Sequence, residues 1–181
     1  MKRGLILVEG QTEERFVKDV LAPEFYPRDF YLVPTLLVTK RVKHDADFKG
    51  GVTTYQKFRK DVERLLHSNV SVVTTLLDYY ALPSDFPGMK TRPAKSPRDR
   101  VLHVEQSIKH DLGSPSNFVP FLALHELEAW LFASPEELPR TMTQPKKQQA
   151  FQAICESVAT PEEIDEGATT APSKRILALF P

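Results

Sequence analysis

The sequence is poor in three features that usually narrow a protein's class, namely cysteine, net charge and long apolar runs. Cys155 is the single cysteine in 181 residues, which excludes an internal disulfide and a multi-thiolate metal site. Lysine plus arginine number 24 and aspartate plus glutamate also number 24, so any nucleic-acid contact would depend on local patches. Neither a signal peptide nor an apolar run of membrane length occurs. These absences predict a cytoplasmic protein with no membrane partner, and they leave a homo-oligomer open.

Two common motifs are also missing. The glycine at Gly10 stands alone, and the segment at Gly88 lacks the upstream glycine and the Ser or Thr of a P-loop. His125 opens a stretch that begins like a zinc-protease helix, but Ala129 occupies the position of the second histidine. We therefore expect neither ATP hydrolysis nor zinc-protease chemistry from this chain.

What the chain does contain is an alternation of apolar strands and amphipathic helices, which predicts an α/β fold with a mainly parallel sheet of about four strands. Strands are predicted near residues 5–8, 31–39, 71–77 and 118–124, and helices near 12–21, 54–67, 98–112 and 126–132. The inner stripe of the first helix is expected to be Phe16, Val17 and Val20.

The domain organisation follows from a change in pattern at Ser134. Residues 1–133 are predicted to form the α/β core, whereas prolines divide 134–181 into short helical pieces that we expect to cover it. The chain stops inside an apolar run at Phe180, which suggests a C-terminally truncated sequence. Cys155, in one of these pieces, is expected to be an inert core thiol.

Acidic side chains follow three of the predicted strands directly. Glu9 follows the first strand, Asp78 the third, and Glu126 with Glu128 the last. In a parallel sheet these acids emerge at one edge, where Glu13 faces them from the first helix. Clustered carboxylates predict a bound divalent cation, and ligation by oxygen alone favours Mg²⁺ or Mn²⁺. The choice between Glu126 and Glu128 stays open.

Basic side chains follow two of the strands and could flank the acids. They could hold a nucleic-acid backbone that the acids themselves would repel, although a solvated surface explains them nearly as well. The predicted substrate-binding residues are Lys40, Arg41, Lys43, Arg92, Lys95 and Arg98.

Taken together, these motifs resemble a known family. The acid-glycine segment at 8–13, the acidic tip at 78–80, and the segments 85–88, 125–129 and 172–175 are similar to the Toprim domain of topoisomerases and primases. The similarity is greatest to the nuclease branch, which includes the overcoming-lysogenization-defect nucleases, and to small standalone Toprim-like proteins.

The resemblance implies roles for the first group of acids. Glu9 would be the Toprim glutamate, a metal ligand or general acid/base, and Glu13 the second acid of the nuclease branch. Asp78 would be the first aspartate of the family's Asp-x-Asp. Tyr80 stands in place of the second aspartate, which weakens a second metal position. Asp85 could substitute for it, a partner could complete the site, or the protein could have lost catalysis.

The resemblance also implies the rest of the site and the activity. Glu128 or Glu126 would be the later metal ligand, and Lys174 would neutralise the scissile phosphate. The implied function is a metal-dependent DNA endonuclease or nickase, acting in phage defence with a separately encoded ATPase subunit. A non-catalytic adaptor or sensor that binds nucleic acid or the ATPase is the alternative.

Overall fold

The computed structural model describes residues 1–37, 54–158, 160–161, 164 and 170–181. The end of the second predicted strand and the basic residues Lys40, Arg41 and Lys43 lie outside these ranges. The chain forms two compact units, Met1–Leu122 and Ala123–Pro181. The domain prediction, a core over 1–133 with an extension over 134–181, stays a prediction.

The fold is α/β, as predicted, and its sheet is mostly parallel. Strand β1 pairs in parallel with β2 and with β3, and β3 pairs in parallel with β4. The order is β2-β1-β3-β4, with β5 also paired to β3. The strands of the described residues are β1 (Lys2–Val8), β2 (Phe30–Leu36), β3 (Val72–Asp78), β4 (Phe118–Val119) and β5 (Leu122–Ala123).

Helices connect and follow these strands. Of the residues that can be described, none belongs to a helix with the length and apolar character needed to cross a membrane. The α-helices are α1 (Gln11–Phe16), α2 (Tyr55–Leu66), α3 (Pro97–Asp111), α4 (Glu137–Thr141), α5 (Gln148–Glu156) and α6 (Pro172–Leu179).

Helices α2 and α3 begin where the sequence predicts. The Thr54 side chain accepts a hydrogen bond from Lys57 N at the start of α2, and Ser96 does the same for Asp99 N at the start of α3. Helix α2 buries Phe58, Val62 and Leu65, which recur at helical spacing. Caps and periodicity thus fixed both helices from local sequence.

The first helix differs from its prediction in its second half. After α1 the chain continues as a π-helix over Val17–Leu21, and Ala22 N donates to the Val17 carbonyl in an i→i+5 bond. The wider turn rotates the following residues relative to an α-helix. Val17 is fully buried but Val20 is 55% exposed, so the prediction that Val20 belongs to the inner stripe was wrong.

The fourth predicted strand is broken into β4 and β5. Pro120 lies at the break and has no N–H to donate to a ladder. The Thr75 hydroxyl of β3 compensates, because it donates to the Phe121 carbonyl (2.6 Å) and accepts from Phe121 N (2.8 Å). One buried side chain therefore satisfies the backbone that the interrupted strand leaves unpaired.

The second unit has its own apolar cluster. Phe132, Phe151, Ile164 and Phe180 form its buried centre, and Cys155 packs against them. The predicted helix at 126–132 is a 3-10 helix, Leu127–Ala133. Burial raises the pKa of the Cys155 thiol, which keeps the sulfur protonated and agrees with the expected inert core thiol.

Candidate functional site

The sheet brings Glu9 and Asp78 to one edge. Strands β1 and β3 are hydrogen-bonded neighbours with Val8 opposite Leu76. Glu9 comes directly after β1, and Asp78 is the last residue of β3. Neighbouring strands are about 4.8 Å apart, so two carboxylates follow adjacent strands at the carboxyl edge of the sheet. Both residues are half-buried, and the Glu9 Oε2 atom is shielded from solvent.

Glu13 lies in the first turn of α1, just after Glu9 in sequence, and its carboxylate has a structural role. Its Oε2 atom accepts a hydrogen bond from Gly10 N at 2.9 Å, which caps the start of α1. A negative charge is favourable at a helix N-terminus, because the unpaired N–H groups there are partly positive. A Cβ atom at Gly10 would lie 3.0 Å from this oxygen. The catalytic role of Glu13 stays a prediction.

A short 3-10 helix, Tyr79–Ala81, follows Asp78 directly. Tyr79 is 5% exposed, whereas Tyr80, at the position of the second Toprim aspartate, is 41% exposed. The Arg92 guanidinium lies over the Tyr79 ring, 5.8 Å from its centroid, and Arg92 Nη1 donates to the Tyr79 hydroxyl at 3.1 Å. The turn after Asp78 thus has one buried tyrosine, which Arg92 contacts, and one exposed tyrosine.

The loop after this turn is anchored on α2. Asp85, the predicted substitute for the missing aspartate, accepts a hydrogen bond from Tyr55 N at 2.9 Å. The Phe86 ring is buried and packs against Tyr55 and Phe58, with ring centroids 5.1 Å away in both cases. Asp85 therefore caps the start of α2, and its use as a metal ligand stays a prediction.

The same end of α2 contacts the end of α3 through a polar network. The Tyr55 hydroxyl donates to Asp111 Oδ2 at 2.6 Å, and Arg59 Nη1 donates to the same oxygen at 3.0 Å. Partial burial, followed by the hydrogen bond to Asp111, raises the pKa of Tyr55 well above its usual range. This tyrosine is therefore a fixed hydrogen-bond donor, and it holds the two helices together.

The predicted basic residues differ in their surroundings. Lys95 and Arg98 are exposed, Arg98 in the first turn of α3. Arg92 contacts Tyr79 and also donates from Nε to the Met89 carbonyl at 2.7 Å. All three side chains are exposed, but only Arg92 also makes these contacts with the protein.

In the second unit, Glu126 contacts the helix that carries Lys174, although the two predicted site residues are far apart in sequence. Glu126 Oε2 accepts a hydrogen bond from Ser173 N at 2.9 Å, at the start of α6. Lys174 is the next residue of that helix and is exposed. Glu128 lies in the first turn of the 3-10 helix Leu127–Ala133. Glu126 thus caps the helix that carries Lys174, and the metal-binding roles of Glu126 and Glu128 stay predictions.

The carboxylates suit only some kinds of metal site. Within the described ranges, no three His, Cys, Asp or Glu side chains form a group that could hold a metal ion. A pair such as Glu9 and Asp78 is nevertheless compatible with Mg²⁺. This ion usually keeps several waters and is bound through one or two carboxylates together with substrate phosphates. The donor chemistry at the sheet edge therefore fits a water-rich Mg²⁺ or Mn²⁺ site.

Comparison with known proteins gives a family but no named relative. Residues 8–181 match the family described as "Domain of unknown function (DUF4276)", and the chain belongs to that family. No curated protein and no solved structure matches the chain significantly. The match begins at Val8, so it includes both edge acids and the full second unit.

Sequence reasoning missed the contact between Arg92 and Tyr79. It treated Arg92 as one of several cations around a proline-rich loop, since nothing in the local pattern shows which arginine contacts a neighbouring side chain. The nearest signal is the buried aromatic residue directly after the acidic strand tip, because a ring held there attracts a guanidinium. The double contact of Thr75 was missed for a similar reason.

Proposed function

We propose that this protein is a metal-dependent DNA endonuclease or nickase of the Toprim type. The observation that supports the proposal most is the pair of acids, Glu9 and Asp78, at the carboxyl ends of two paired parallel strands. Ligands of open α/β sheets bind at this edge. Two carboxylates there provide the oxygen donors that Mg²⁺ and Mn²⁺ prefer.

The proposed chemistry divides between acids and bases. Glu9 and Asp78 would hold a divalent ion, which when bound supplies charge neutralisation at phosphate and a more acidic water. Because Glu9 is partly shielded from solvent, its attraction for a cation is screened less than that of a surface acid. The exposed cations Lys95 and Arg98 would contact the DNA backbone, which the acids alone would repel.

Further residues complete the proposal. Glu13 would act as the second acid of the nuclease branch, beyond its capping bond. Glu128 or Glu126 would supply a later ligand, and Lys174 would steady the charge on the scissile phosphate. We further propose that the protein acts in the cytoplasm as the nuclease subunit of an ATPase-linked phage-defence module.

Plasmid nicking tests the proposal. Supercoiled plasmid is incubated with Mn²⁺ and the protein, with and without its ATPase partner, and the open-circular product is measured on a gel. We expect Glu9→Gln and Asp78→Asn to lower the rate about 100-fold or more. The matched control is Glu24→Gln, which removes an exposed carboxylate from the 3-10 helix before β2 and should leave the rate unchanged.

Two outcomes would contradict the proposal in different ways. Cleavage that survives both edge substitutions would show that the nuclease site lies elsewhere. DNA binding that needs no metal, with no cleavage under any condition, would favour the non-catalytic adaptor. Tyr80, which replaces the second Toprim aspartate, is the feature that supports this alternative.

A further inference from the structure

The loop between Asp78 and α3 is fixed to the protein at several points. Gly88 adopts a positive φ of 83°, and a Cβ atom there would lie 2.7 Å from Ser107 Oγ of α3. Phe86 is buried against α2, and Asp85 caps the same helix. Met89, the residue after Gly88, is also buried. The segment that presents Arg92 is therefore held in place by packing on both helices.

From this fixed segment, the Arg92 side chain contacts the turn after β3. Its Nε atom donates to the Met89 carbonyl (2.7 Å), its Nη1 atom donates to the Tyr79 hydroxyl (3.1 Å), and its Cζ atom lies 5.8 Å from the centroid of the Tyr79 ring. Neither hydrogen-bond acceptor is a carboxylate. The guanidinium thus links the loop to the residue next to Asp78 through two neutral acceptors.

We propose that Arg92 is a positioning residue for Asp78, acting through Tyr79, and not a contact for the DNA backbone. The inference rests on the proposed function, because it assigns Asp78 to the metal. Tyr79 has little freedom, since it is 5% exposed and held by both a cation–π contact and a hydrogen bond. Fixing this residue fixes the backbone from which the Asp78 carboxylate projects, as outer partners of a metal ligand commonly do.

The substitution Arg92→Lys tests the contact between Arg92 and Tyr79 while it preserves the positive charge. Lysine keeps the positive charge but lacks the planar fork that reaches two acceptors while stacking on a ring. We expect the dissociation constant for Mn²⁺, measured by calorimetry well below the unfolding temperature, to rise about tenfold or more. The affinity for a duplex DNA oligonucleotide without metal should stay unchanged, because Arg92 contacts Tyr79 and Met89 and not the DNA backbone.

Two further variants keep the test decisive. Tyr79→Phe retains the ring and removes only the acceptor hydroxyl, so it should weaken Mn²⁺ binding less than Arg92→Lys does and provides an alternative if that variant fails to fold. Arg28→Lys is the matched control, since Arg28 is exposed just before β2 begins, at the amino end of the sheet. It should bind Mn²⁺ like the wild type.

The outcomes separate this inference from the proposed function. If the wild type binds Mn²⁺ and both Arg92→Lys and Tyr79→Phe bind it with the affinity of the wild type, the positioning role is overturned and the proposed metal site stands. If Arg92→Lys weakens DNA binding but not Mn²⁺ binding, Arg92 is a substrate contact and the inference is also wrong. If the wild type itself binds no Mn²⁺, the proposed metal site fails, and the positioning role fails with it.

Discussion

The hydroxyl of Thr75 offers a quantitative test of how the interrupted strand is held. Thr75 is 1% exposed, and its Oγ1 atom makes both hydrogen bonds to the Phe121 backbone. A typical intramolecular hydrogen bond contributes about 0.5–1.5 kcal/mol net. Thr75→Val keeps the side-chain shape and removes both bonds, so we expect the free energy of unfolding to fall by about 2 kcal/mol.

The assay is equilibrium urea unfolding, followed by circular dichroism and by Trp130 fluorescence so that separate unfolding of the two units is detected. Thr75→Ser is the matched control. It keeps the hydroxyl and loses one methyl group, which costs about 1 kcal/mol. We expect valine to be the more damaging substitution. A Thr75→Val protein as stable as the wild type, or more stable than Thr75→Ser, would refute the proposed bridge between β3 and the strand break.

Two other substitutions test the fold in different places. Glu105 accepts a hydrogen bond from Leu122 N, and burial raises its carboxyl pKa above the usual 4.5. The protonated Glu105 carboxyl therefore makes its full contribution to the free energy of unfolding below pH 4.5. This contribution is lost as the pH rises through the raised pKa. Glutamine does not ionise, so the stability of Glu105→Gln relative to the wild type should increase from pH 4 to pH 7.5 in urea unfolding. A difference in the free energy of unfolding that stays constant with pH would contradict this. At Gly4, a Cβ atom would lie 2.7 Å from the Phe30 ring and 2.9 Å from Val72. Gly4→Ala should lower the free energy of unfolding by about 1–3 kcal/mol, and an unchanged urea midpoint would show that β2 and β3 can move apart.

Most of the sheet and the two long helices were predictable from sequence because local signals decide them. The run from Leu5 to Val8 is apolar throughout and is buried in the sheet. Ser96 and Pro97 give a cap and a first helical residue that need no tertiary information. Periodicity and capping therefore fixed where these elements lie.

The misjudged details depend on geometry that no local pattern reveals. The π-helix at Val17–Leu21 exposes Val20 by widening a single turn, and the sequence has no feature that distinguishes it from an α-helix. The strand break at Pro120 had a visible signal, because a proline inside a predicted strand removes a ladder donor. The partner that repairs the break, Thr75, lies on another strand and was not foreseeable.

The candidate site likewise has some features that the sequence predicts and others that depend on tertiary structure. That Glu9 and Asp78 share an edge follows from two strand tips and a parallel sheet, both legible in the sequence. What surrounds them is tertiary, including the Arg92 clamp on Tyr79 and the Asp85 cap on α2. A glutamate three residues after a glycine at a helix start is a known capping pattern, so the structural task of Glu13 had a local signal.

We propose above all that the carboxyl edge of the sheet binds a divalent cation through Glu9 and Asp78. Titration of Mn²⁺ into the wild type, Glu9→Gln, Asp78→Asn and the Glu24→Gln control, followed by the loss of the free-ion signal in electron paramagnetic resonance, tests it directly. We predict that the wild type and the control bind the ion with equal affinity and that each edge variant binds it at least about tenfold more weakly. Equal binding by all four proteins would contradict the claim, as would the absence of binding by the wild type.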